Sequence, residues 1–250
     1  MYKTLIAVSV MLLLYSCSKD ETTYNPAAKG KSGSVTRFAA HNGYLYVLDQ
    51  NKIKTYMATG SGEPTLQSTV YTDYGLETIT IYDAVIYLGS RDGLYILDIS
   101  NPSLPKVLSK TERSTLFGRC DPVVVQGNYA YSTVKTTENS CGSISAISAL
   151  ITYDVSNKNN PVQIDAVALN QPNGLGIAGN HLFVCDDGDD MIHVFDITST
   201  TPVNYTTITV TDPRDVICTD GKMIVSTANG FWFYNISNIS DIKLIGNIAQ

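Results

Sequence analysis

The sequence has little of what nucleic-acid binders, helical bundles and most enzymes depend on. Lys and Arg number 17 against 23 Asp and Glu, a formal charge of -6. No basic surface can therefore be built for nucleic acid or anionic lipid headgroups. There are only three histidines, His41, His181 and His193. They are scattered, and none stands in a recognisable Cys-His arrangement for nucleophilic catalysis. P-loop, dinucleotide fingerprint, HExxH and GxSxG motifs are all missing, which leaves no ready-made mechanism. No apolar run approaches the roughly 20 residues a transmembrane helix needs. Helical periodicity never extends convincingly past two turns, which argues against a TIM barrel or a doubly wound sheet. Charged residues make up only 16% of the chain and hydrophobic ones 44%, so it is neither a disordered tail nor a charged coiled coil.

What is present is tyrosine, 16 against 6 Phe and 1 Trp, together with a repeat. The composition favours strands with amphipathic aromatic surfaces. A core segment recurs five times, at Asn42 to Val47, Asp83 to Leu88, Gly127 to Ser132, Gly179 to Val184 and Asp220 to Val225. Measured through Tyr44, Val85, Tyr129, His181 and Lys222, its spacings are 41, 44, 52 and 41 residues, the range of a propeller blade. The last repeat divides into four apolar runs, with turns at Asp220-Gly221 and Asn229-Gly230. Asx-Gly pairs between apolar runs signal hairpins, because these residues tolerate the positive φ of a tight turn. The fold expected for 35–250 is all-β, a β-propeller of about five four-stranded blades, closed into a ring or left as a partly open arc. A β-sandwich with look-alike meanders is the alternative.

A second segment follows each copy of the first: Leu94 to Ser100, Leu150 to Ser156, Ile192 to Thr198 and Phe231 to Ser237, with a worn copy at Lys52 to Tyr56. Pro102, Pro161 and Pro202 follow three of them. These segments resemble the LVIVD-repeat family of β-propeller proteins, best between 85 and 236. The resemblance implies a propeller, and lipoprotein anchoring in outer-membrane-like members, and it implies no established catalytic residues. The recurrent Asp98, Asp154 and Asp196 also have a plain structural reading: each carboxylate can accept backbone N–H bonds and close an Asx-turn where the strand ends.

Residues 1–16 read as a lipoprotein signal peptide, with Lys3 ahead of an apolar run from Leu5 to Tyr15. Leu14-Tyr15-Ser16-Cys17 resembles the lipobox of bacterial lipoproteins, which implies a diacylated Cys17 and a stable lipid anchor. Residues 17–34 then form the acylated cysteine and a flexible tether. Lys19-Asp20-Glu21 resembles the export signal of lipoproteins displayed on the outer surface of Bacteroidetes cells, with a solubilising linker as the alternative, so the expected address is the outer membrane, on its outer or its periplasmic face. In an exported chain disulfides can persist, and a Cys120–Cys141 bridge is expected to close the enlarged third repeat. Cys185 and Cys218 are expected to be buried thiols packed as small hydrophobes.

Three repeats open on polar turn residues where a propeller has the mouth of its central channel. Asp121, Asn173, Asp212 and Arg214 are therefore the candidate ligand-facing ring, although Asp-Pro and Gln-Pro are also ordinary turn signals. Asp186, Asp187, Asp189 and Asp190 crowd one turn and are candidate ligands for calcium. The EF-hand spacing fails there, and a solvated acidic hairpin is the simpler reading, so no cofactor is required. The expected role is a lipid-anchored module that binds a protein or glycan partner and no nucleic acid. The alternative is an envelope lyase or hydrolase using an acidic central mouth.

Overall fold

A computed structural model describes residues 34–59, 62–73, 75–90, 93–112, 122–135 and 147–249. It is an all-β structure of five four-stranded antiparallel sheets, a five-bladed β-propeller. Blade one holds β1 (Phe38–His41), β2 (Tyr44–Asp49), β3 (Lys52–Met57) and β4 (Thr65–Tyr71). Blade two holds β5 (Leu76–Tyr82), β6 (Val85–Ser90), β7 (Gly93–Asp98) and β8 (Lys106–Glu112). Blade three holds β9 (Val123–Gln126), β10 (Tyr129–Val134), β11 (Ala149–Asp154) and β12 (Val162–Ala168). Blade four holds β13 (Pro172–Ala178), β14 (His181–Asp186), β15 (Met191–Asp196) and β16 (Val203–Thr209). Blade five holds β17 (Pro213–Thr219), β18 (Lys222–Thr227), β19 (Gly230–Asn235) and β20 (Lys243–Ala249).

Turn chemistry sets the register within each blade. The first hairpin turns at Asn42, Asp83, Gly127, Gly179 or Asp220, all with positive φ, the conformation a two-residue loop between twisted strands demands. The pairing of third and fourth strands slips at one repeat position in every blade, after Thr55, Ile96, Thr152, Val194 and Phe233. Such bulges increase local twist. The third strands end as the sequence suggests: the N–H groups of Ser100, Ser156 and Thr198 donate to Asp98, Asp154 and Asp196 at 2.8 Å each. Asn235 serves the same turn in the last repeat, accepting from the N–H of Ser237. Hydrogen bonds from Ser100, Ser156 and Thr198 hold the three carboxyls below the usual aspartate range.

The core lies between blades. Tyr46, Tyr87, Tyr131 and Phe183 share one position on the second strands and are wholly or almost wholly buried. Each faces the next blade. Tyr46 packs with Ile86 and Leu88, Tyr87 with Ala130, Tyr131 with Leu182 and Val184, and Phe183 with Met223 and Val225. The Tyr46 hydroxyl crosses the same junction to donate to the carbonyl of Pro102 at 2.9 Å. Burial pushes the hydroxyls of Tyr46, Tyr87 and Tyr131 up to about 12.

Among the described residues no apolar cluster joins blade five to blade one. The fifth copy of the aromatic position is Ile224, only half-buried, and Leu45 and Val47 on the opposing face of blade one are likewise half-buried. Phe231 and Ile248, paired across β19 and β20, are 42% and 59% exposed. The connection there is polar and lies at the inner rim. The buried Ser34 hydroxyl donates to Asp215 Oδ1 at 2.9 Å and accepts the N–H of Leu175 at 2.8 Å. Hydrogen bonds link the inner part of each other blade to the next, from inner strands, from the segment ahead of β1 and, in blade three, from β10. Ile79 N–H donates to Thr36 O, Thr80 Oγ1 to Val123 O, Thr133 Oγ1 to Asn173 O and Asn173 Nδ2 to Pro213 O. Burial pushes the Asp215 carboxyl above its usual range although several donors oppose it. The inner strands of blades four and five come so close that a Cβ on Gly174 would stand 2.7 Å from Asp215 Cα, and one on Gly176 2.9 Å from Val216 O.

The expectation of a disulfide-bonded chain is corrected. The described cysteines, Cys185 and Cys218, are buried and form no disulfide, and both belong to the apolar core between blades four and five. That core is filled by apolar side chains, so the thiols pack there as small hydrophobes. Burial holds the Cys185 thiol well above its usual range, which leaves it unreactive. Cys120 and Cys141 lie outside the described residues, as does Cys17 with the signal segment and the tether up to residue 33; Ser34, expected as the last tether residue, is described and buried.

Ser34→Ala removes the hydroxyl that serves both sides of the inner rim and leaves a buried N–H and a buried carboxylate short of a partner. The expected loss is about 1–3 kcal/mol in urea unfolding. An unchanged midpoint would show that this contact does not hold the rim.

Candidate functional site at the channel mouth

The inner strands begin at one face of the propeller, and a cavity of about 360 Å³ opens there. Its lining comes from blades three, four and five, from Pro122, Lys135, Pro172, Asn173, Asp187 and Arg214, with Val35 from the segment ahead of blade one. Two of the four residues expected to form the mouth ring, Asn173 and Arg214, line it. Asp212 stands behind Arg214, its Oδ2 3.2 Å from the guanidinium, and Arg214 is largely exposed. Asp121 lies outside the described residues.

Lys135 occupies the most constrained position at the mouth. Its ammonium donates to Asn173 Oδ1 at 3.0 Å and to the Asp187 carboxylate at 3.0 and 3.2 Å. Lys135 and Asp187 are repeat-equivalent, each the first residue after its blade's second strand, so the pair bridges blades three and four. Sequence reasoning missed Lys135. Aligning the repeats to the ends of their second strands would have set it opposite Asp187.

The turn that carries Asp187 is anchored by the residue before it. Asp186 is completely buried and accepts three backbone N–H bonds, from Asn170 at 2.8 Å, Gln171 at 2.7 Å and Gly188 at 3.0 Å. In the same position blades two and five have Ser90 and Thr227, whose hydroxyls donate to the carbonyls of Gly93 and Gly230 within their own turns. The carboxylate reaches further and ties the turn to the start of β13, which directs Asp187 into the cavity.

The crowded aspartates divide into different tasks. Asp187 pairs with Lys135. Asp190 accepts the N–H of Asp212 at 2.7 Å, joining blade four to blade five. Asp186 and Asp189 converge with a residue that the sequence reading had set aside, His193, on β15. The His193 Nε2 lies 3.2 Å from Asp189 Oδ2 and 3.9 Å from Asp186 Oδ2, and these three side chains could hold a metal ion. His193 was hidden because it reaches the turn across the β14–β15 hairpin.

Comparison with known proteins agrees with this architecture. Residues 77–111, nearly all of blade two, match the LVIVD repeat. No curated protein matches the chain. Among solved structures it is similar to a functionally unknown protein from Desulfotomaculum acetoxidans, at 14% identity and a TM-score of 0.63, covering 83% of this chain and 68% of that one. It is also similar to PpgL, the periplasmic gluconolactonase of Pseudomonas aeruginosa, at 12% identity and a TM-score of 0.64, covering 85% and 70%. A chain of a nidogen/laminin complex matches at 16% identity and a TM-score of 0.55, covering 83% and 76%. At these identities the likeness is one of fold.

Asp186→Ala leaves three backbone donors without their acceptor at a buried site, an expected loss of about 3 kcal/mol or more in chemical unfolding. Asp186→Asn, which keeps one carbonyl oxygen, should lose clearly less. Equal losses for the two variants would show that the site is held by packing and not by these bonds.

Proposed function

We propose that this chain is a lipid-anchored cell-envelope module whose channel mouth binds a protein or glycan partner. The observation that carries the reading is the cavity itself, where an ammonium, an amide and a carboxylate are held in fixed register beside a largely exposed guanidinium. Donors and acceptors converging on a partly apolar hollow suit hydroxyl- or carboxylate-bearing groups of a glycan or peptide. The lipobox-like Leu14 to Cys17 supports anchoring, with the outer membrane as the proposed address. A catalytic reading has less support. It requires an acidic mouth with converging carboxylates, whereas the described lining has one carboxylate, Asp187, paired with Lys135. Calcium is not part of this reading, because the four turn aspartates do not converge on one point.

The test is a glycan array probed with the chain, alongside capture from envelope extract, with Lys135→Ala and Asn173→Ala as variants. Each should weaken retention of a captured ligand at least about tenfold, a loss of about 1.4 kcal/mol. Retention unaffected by both variants would place the binding surface elsewhere.

A further inference from the structure

We propose that Asp186, Asp189 and His193 form a site for a divalent transition-metal ion of the zinc type, on the rim of the mouth and separate from the cavity. The argument begins with charge. The carboxylate of the fully buried Asp186 meets that of the half-buried Asp189, and among the described residues neither forms an ion pair with Lys or Arg; the basic side chain beside both is His193. Asp186 spends its hydrogen bonds on three neutral N–H groups. Asp189 Oδ2 has Asn170 Nδ2 at 3.4 Å and His193 Nε2 at 3.2 Å, whereas its Oδ1 is sealed from solvent with no donor among the described residues. A buried carboxylate oxygen without a donor calls for a cation.

Geometry and donor type narrow the choice of ion. The three ligand atoms lie within 4.8 Å of one another. The 3.2 and 3.9 Å separations from His193 Nε2 bracket the edge of a tetrahedron with metal–ligand bonds of about 2.1 Å, which is about 3.4 Å. Zinc takes imidazole nitrogen together with carboxylate oxygen, whereas calcium prefers six to eight oxygens. Three protein ligands leave a fourth position for solvent on the side where Asp189 is 27% exposed. The His193 ring is held in place by stacking on Phe195, centroid to centroid 6.2 Å. Asp187 lies between the first two ligands, so a bound ion would also fix the turn that points Asp187 at Lys135. The site does not depend on the mouth reading, since none of its ligands lines the cavity.

The experiment is calorimetric titration of the chelator-stripped mature chain with zinc, and with calcium in parallel. Cobalt provides a visible-absorption readout of tetrahedral nitrogen and oxygen ligation. One zinc per chain is expected, with no matching calcium uptake. His193→Ala and Asp189→Asn should each weaken zinc binding at least about tenfold and abolish the cobalt bands, while unfolding midpoints confirm that both variants fold. No zinc uptake by the folded wild type would overturn the proposal. Zinc binding unchanged in both variants, or calcium bound in preference, would overturn it equally.

Discussion

Everything in this molecule depends on one contact repeated from blade to blade, a large side chain at a single position of the second strand buried against the back of the next sheet. A four-stranded blade has two apolar faces and cannot cover either by itself. Tyr46, Tyr87, Tyr131 and Phe183 cover them in turn. Each burial is worth roughly 1.5–3 kcal/mol, against about 1 kcal/mol for a typical hydrogen bond such as those linking the inner strands. Blade order and spacing therefore follow from these four side chains, and the rim hydrogen bonds set the finer alignment. Where the fifth copy is Ile224, the described residues form no apolar junction, and Ser34 with Asp215 connects the rim instead.

The mouth inherits its geometry from this arrangement. Blades three, four and five are joined through the filled junctions around Tyr131 and Phe183. The turns after their second strands are thereby held in register, so Lys135 and Asp187 meet across a blade boundary. Asp186 then fixes the turn from beneath. Its buried carboxylate beside His193 and Asp189 gives the rim a donor set quite unlike that of the neighbouring cavity, although one residue separates them in sequence.

Repetition made the fold legible. Five copies of one apolar segment at blade spacing, Asx-Gly turns and the recurrent Asp98, Asp154 and Asp196 each have a local cause, and the structure places all of them as their chemistry requires. Asn173 and Arg214 were legible as mouth residues for the same reason, since they begin inner strands. Contacts made between blades were not legible. Lys135 meets Asp187 across 52 positions; within blade four, His193 reaches Asp186 and Asp189 through strand pairing, so proximity in sequence grouped with these two the aspartates Asp187 and Asp190, which have other partners. The thiols illustrate the opposite case: Cys185 and Cys218, at ends of strands that run in opposite directions, were expected as buried free thiols, and both are.

Hydrogen exchange resolved by blade is the most direct measure of this account. Amides of β6, β10 and β14, whose strands are covered on both faces, should be the slowest to exchange. Those of β2 and β18, covered on one face only, should open at clearly lower free energy. Uniform protection across all five second strands would contradict it, because that would mean blade five and blade one are joined as firmly as the others.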